Sequence, residues 1–113
     1  MKEIAIEKNI RKLIDATNAF DMDAALVLFA TDAVIEDVSV GEKFRNTAGV
    51  RKYIETFFVG YHTATRLESL DISDSLHAKA QLDFTGDFGH ETGGLDFSLN
   101  AEGLIISIHA YLD

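Results

Sequence analysis

The chain predicts an α+β domain, and three observations carry that reading. Apolar residues recur at helical spacing through the first half, they alternate with polar ones through the second, and the period changes once, near residue 60. Helices covering one face of an antiparallel meander are the layered arrangement that this order of elements implies.

Each element follows from local spacing. In the first helix Ile6, Ile10, Leu13, Ile14, Thr17 and Phe20 form one apolar stripe, with Lys8, Arg11, Lys12 and Asp15 opposite. Asp21 is placed to cap a short helix over 22–29, and Asp23 adds negative charge to its first turn. Residues 33–38 make a β-favouring run that carries Glu36 and Asp37. Thr47 is the expected N-cap of a third helix, in which Val50, Tyr53, Ile54, Phe57 and Phe58 fall at the i, i+3, i+4, i+7 and i+8 positions. A less regular strand is expected around 66–72. Beyond it, Leu76, Ala78, Ala80, Leu82, Phe84 and Phe88 share one strand face, and Gly89, Gly93 and Gly94 mark a turn. Leu95, Phe97 and Leu99 alternate next. After a turn at Asn100-Ala101-Glu102-Gly103, Leu104, Ile106, Ile108, Ala110 and Leu112 are expected inward, with Ile105, Ser107, His109 and Tyr111 outward.

Composition narrows the function classes. With 113 residues, 47% hydrophobic and 26% charged, the chain is a single globular domain, 1–113. A net charge of −9 repels a phosphate backbone and an anionic membrane, and the ten basic residues form no cluster that reverses this locally. Neither nucleic acid nor membrane is therefore an expected partner. The absence of cysteine excludes disulfides and thiolate chemistry. No apolar run reaches spanning length, the N-terminus lacks a signal-peptide core, and a cytoplasmic location is expected. No histidine has a partner at metal-ligand spacing, His90-Glu91-Thr92-Gly93-Gly94 lacks a second histidine, and there is no phosphate-binding glycine loop; no metal or cofactor is expected.

Glu36 and Asp37 are the residues that raise a chemical question. Neighbours on a strand point to opposite faces, so the two cannot serve one pocket as a glycosidase pair. Asp37 goes with Ala33 and Ile35, Glu36 with Val34 and Val38, and alternation alone leaves open which set is inward.

The stretch Asn18-Ala19-Phe20-Asp21-Met22-Asp23, then Phe29-Ala30-Thr31-Asp32-Ala33-Val34-Ile35-Glu36-Asp37, then Asn46-Thr47-Ala48-Gly49-Val50, resembles the nuclear-transport-factor-2-like superfamily, in its SnoaL-like and ketosteroid-isomerase-like branch. Residues 97–107 resemble that family's final hairpin. The resemblance implies a cone in which a curved antiparallel sheet wraps a long helix around an apolar pocket, and a homodimer formed through the outer sheet face. It implies that Asp37 points into the pocket as a general base. Tyr53 would be a pocket aromatic, and Phe57, Phe84, Phe97, Ile108, Ala110 and Leu112 apolar lining. Ketosteroid isomerases add a Tyr and a protonated Asp as oxyanion donors. At the matching positions this chain has Leu13 and Leu95, also in the lining, and losing one such donor costs roughly 3–4 kcal/mol in comparable sites. Two readings follow. One is a cofactor-free isomerase or cyclase for an apolar small molecule, with Asp37 moving the proton. The other is a non-catalytic module for small-ligand binding or dimerisation.

Overall fold

In the computed structural model, which describes residues 2–113, three helices and six strands follow in the order α1 (Lys2–Asn18), α2 (Met22–Leu26), β1 (Phe29–Asp37), β2 (Glu42–Arg45), α3 (Asn46–Ile54), β3 (Ala64–Asp74), β4 (His77–Gly86), β5 (Gly89–Leu99) and β6 (Ile105–Leu112). The strands form one curved, unclosed sheet in the order β2-β1-β6-β5-β4-β3, and the helices cover its inner face. This is the expected α+β cone. Its one parallel pairing, β1 with β6, makes the sheet mixed.

The α1 stripe is buried as its spacing requires: Ile6, Ile10 and Leu13 lie in the core with Val50, Ile54, Leu82 and Phe97. Phe20 ends the helix in a left-handed conformation (φ 56°) and is exposed, so it leaves the stripe. Asp21 caps α2, accepting from the Ala24 amide at 3.1 Å. That helix stops at Leu26, short of the expected 29, because Phe29 already begins β1. Thr47 is not the cap of α3: the helix starts one residue earlier, and Arg45 precedes it without a side-chain cap bond.

Alternation reads β4 correctly through Phe84, but Phe88 lies beyond the strand and is 42% exposed. Gly93 and Gly94 are not turn residues. Both are buried inside β5, where the Tyr111 carbonyl and Tyr111 ring occupy the space their Cβ atoms would need. In β6, Leu99 pairs with Ile105 and Ser98 with Ser107, leaving Ile106 as an extra residue. This bulge inverts the expected phase at the start of the strand. Ile105 is buried and Ile106 exposed, whereas Ile108 and Ala110 recover the inward face.

Candidate ligand-binding site

Asp37 ends β1, and the alternation Ala33, Ile35, Asp37 brings it inward, leaving 7% of it exposed. Glu36 takes the other face, where its carboxylate meets His109 Nδ1 at 3.4 Å. Three donors converge on Asp37. The Ser39 amide and hydroxyl reach Oδ1 at 2.9 and 2.5 Å, and the Tyr53 hydroxyl donates to Oδ2 at 2.6 Å. The Ser39 contacts form an Asx turn in the β1–β2 connection, closed by the Gly41 amide on the Asp37 carbonyl at 2.9 Å with Gly41 at φ +71°. The site thus presents a buried carboxylate with a fixed orientation. Burial first, then the hydrogen bond to Asp37 and the carboxylate charge, hold the Tyr53 phenol well above its ordinary range. Tyr53 therefore remains a neutral donor.

The helix carrying Tyr53 does not end regularly. Residues Glu55–Val59 form a π-helical turn, with the Gly60 amide on the Glu55 carbonyl at 2.8 Å. Buried Thr63 takes up the Phe57 carbonyl through its hydroxyl at 2.6 Å and the Phe58 carbonyl through its amide at 2.8 Å. Phe57 and Phe58, both on this widened turn, pack their rings against Tyr53. Ring centroids are 5.1 Å apart for Tyr53–Phe57 and 6.1 Å for Tyr53–Phe58. The series continues through Phe58–Phe84 at 6.3 Å, Phe57–Tyr61 at 6.1 Å and Tyr61–Phe88 at 6.0 Å. A ligand-sized cleft of about 280 Å³ opens among these rings. Asp37, Ser39 and Tyr53 line it together with Thr63 and Phe84, and Val40, Tyr61, Phe88, Glu91 and Leu112 also reach it.

Of the residues picked out in the sequence, Asp37, Tyr53, Phe57, Phe84 and Leu112 meet in this cleft. Leu13, Leu95 and Ile108 lie deeper, around a void of about 30 Å³, too small for an organic ligand, which Tyr53 also borders. Phe97 and Ala110 line neither space and belong to the core. Sequence reasoning missed Ser39, Tyr61, Phe88 and Glu91 as cleft residues. Ser39 had a local signal, a hydroxyl two residues after an aspartate. Tyr61 and Phe88 had none, since they meet only because the β4–β5 turn folds over the end of the helix, with the Asp87 amide on the Tyr61 carbonyl at 2.9 Å. Among the described residues no group of three His, Asp or Glu side chains is placed to hold a metal, and no helix is long and apolar enough to cross a membrane.

No curated protein matches the chain at a significant level. Solved structures match over nearly its whole length. RV0760c from Mycobacterium tuberculosis, in complex with estradiol-17beta-hemisuccinate, is 20% identical with a TM-score of 0.85, the match covering 96% of this chain and 94% of that one. A computationally designed 17-OHP binder is 19% identical with a TM-score of 0.84, covering 96% and 91%. A protein with a cystatin-like fold from Methylobium petroleophilum PM1 is 23% identical with a TM-score of 0.85, covering 96% and 76%. At these identities the likeness is one of fold. The family model for the SnoaL-like domain matches residues 10–104, and the chain belongs to that family.

Proposed function

We propose that the protein binds an apolar small molecule in the cleft beside Asp37 and Tyr53. The observation that carries this reading is the geometry of the cleft: about 280 Å³, walled mainly by aromatic rings, with one buried, oriented carboxylate at its base. Ligand sites usually combine about 300–1,000 Å³ of mostly apolar space with a few fixed polar groups, and this cleft of about 280 Å³ falls just below that range. Proteins of related fold hold small molecules, one solved with estradiol-17beta-hemisuccinate and one designed to bind 17-OHP. The test is an amide NMR titration with one- and two-ring apolar compounds. Shifts should concentrate at Asp37, Ser39, Tyr53, Phe57, Tyr61 and Glu91. A panel that leaves those resonances still would remove the reading.

A second reading, a cofactor-free isomerase or cyclase with Asp37 as general base, is favoured by one observation: a neutral phenol donor stands 2.6 Å from the base. A substrate carbonyl that took over the Tyr53 hydrogen bond would free Asp37 Oδ2 to remove a proton from the adjacent carbon. With Leu13 and Leu95 both apolar, the donor would be Tyr53, one of four hydroxyl side chains lining the cleft with Ser39, Tyr61 and Thr63. Exchange of α-hydrogens of small cyclic ketones in D2O measures this step directly, and Asp37→Asn should abolish it. Equal exchange rates for wild type and Asp37→Asn would dismiss the base.

We further infer that the outer sheet face pairs with a second copy. One row of residues crosses all six strands through register neighbours: Lys43, Glu36, His109, Asp96, Lys79 and Asp71. Neighbours in this row alternate acidic with basic or imidazole. A two-fold axis parallel to the strands, between β6 and β5, would place Lys43 opposite Asp71, Glu36 opposite Lys79 and His109 opposite Asp96, each across the two copies. Asp96 Oδ1 is buried without a hydrogen-bond partner among the described residues, and a histidine from a second copy would supply one.

A further inference from the structure

The cleft has a charge as well as a shape. Its lining includes two carboxylates, Asp37 and Glu91, and no lysine, arginine or histidine. Neither carboxylate has a basic side chain paired to it among the described residues, whereas Arg11 and Arg66 pair with carboxylates elsewhere and each of the four histidines has a carboxylate oxygen within 3.4 Å. The donors on Asp37 are a backbone amide and two hydroxyls, all neutral, so they orient its negative charge without cancelling it. Glu91 stands on β5 directly opposite Phe84, on the exposed side of the cleft. The same cleft is lined by the run of rings Phe84, Phe58, Tyr53, Phe57, Tyr61 and Phe88, each within 6.3 Å of the next.

Resting on the ligand-binding reading of this cleft, we propose that its ligand is an apolar organic cation, a quaternary ammonium or a hindered protonated amine. A purely neutral ligand would leave the hydrogen-bonded Asp37 carboxylate without a counter-charge, and an anion would be repelled by both carboxylates. A cation is attracted to aromatic faces within about 6 Å of their centroids and to each carboxylate, and its methyl groups fill the apolar space. A quaternary ammonium has no N–H to donate, so it would not need to displace Tyr53 or Ser39 from Asp37. The net charge of −9 adds long-range attraction of the same sign.

The test compares two molecules of one shape and different charge, phenyltrimethylammonium and its neutral isostere tert-butylbenzene, with the aromatic anion phenylacetate, by NMR titration of the full chain. Phenyltrimethylammonium should shift the Asp37, Tyr61 and Glu91 resonances and bind at least roughly tenfold more tightly than tert-butylbenzene, with phenylacetate weakest. Glu91→Gln, at an exposed position, should lower the affinity for the cation severalfold and that for tert-butylbenzene far less. Raising the salt concentration should do the same. Binding of tert-butylbenzene as tight as that of the cation, or a Glu91→Gln protein with unchanged preference, overturns the cation assignment and leaves the apolar-ligand reading standing. If neither compound, nor the wider apolar panel, moves the cleft resonances, both fall together.

Discussion

Tyr53 and Asp37 show how much one hydrogen bond fixes. The phenol is 6% and the aspartate 7% exposed, and their 2.6 Å contact ties the third helix to the end of the first strand. Tyr53→Phe keeps the ring and removes the donor, leaving a buried carboxylate one partner short, so a loss of about 1–3 kcal/mol is expected in chemical denaturation. Burial of the phenol, and after it the Asp37 contact, predicts an alkaline limit. Because the phenol's folded-state pKa is raised, the stability this group contributes is fully present below about pH 10 and is lost as pH rises further. In absorbance at 295 nm, Tyr53→Phe should therefore match wild type through the ordinary tyrosine range, the missing amplitude emerging only as the wild type unfolds. A wild-type excess before unfolding would show an accessible phenol. The sequence made this acid conspicuous but not its orientation, since Ala33 and Ile35 on one side and Val34 and Val38 on the other are equally apolar. Strand pairing settles it, by placing Glu36 opposite His109 on the outer face.

At the scale of the element, the irregular positions were the ones alternation could not see. A period of two identifies β4 and the last five residues of β5, but an inserted residue such as Ile106 inverts the phase without any compositional mark. Strand β2, four residues long with one buried side chain, is too short to show a period at all. The paired glycines of β5 carry a signal that reads equally as turn or close approach, and only Tyr111 distinguishes them. Gly94 leaves the space that the Tyr111 ring fills, an aromatic covering a glycine within a sheet. Gly94→Ala must push that ring off the sheet, since the added carbon would meet the ring itself. A loss of about 1–3 kcal/mol is expected, typical of overpacking a well-filled site, with an altered near-ultraviolet tyrosine signal. An unchanged denaturation midpoint would mean that Tyr111 has another rotamer at no cost. Helix caps were partly legible, Asp21 through its bond to Ala24, whereas α3 begins on Asn46 in a left-handed conformation (φ 65°) that no cap rule anticipates.

For the whole molecule, the charge row on the outer face is invisible until the strands are paired, because its six members come from six separate segments. Once paired, it constrains assembly sharply. An axis across the strands would set Lys43 against Lys43 and Glu36 against Glu36, whereas an axis along the strands sets unlike charges together, and in the next row it brings Arg45 opposite Asp74. Six strands about 4.8 Å apart and roughly eight residues long give a face of roughly 650 Å², within the range of about 600–1,000 Å² per partner in stable interfaces. Sedimentation at micromolar concentration should therefore give a dimer that weakens with salt. Two-fold symmetry doubles the effect of each substitution, so Lys79→Glu introduces two like-charge contacts with Glu36 and should weaken association at least roughly tenfold. Glu36→Lys alone should do the same, and the two substitutions together should restore the dimer by exchanging the charges across the interface. A chain that sediments as a monomer, or a double variant no better than either single one, would leave the row as lateral support within one sheet.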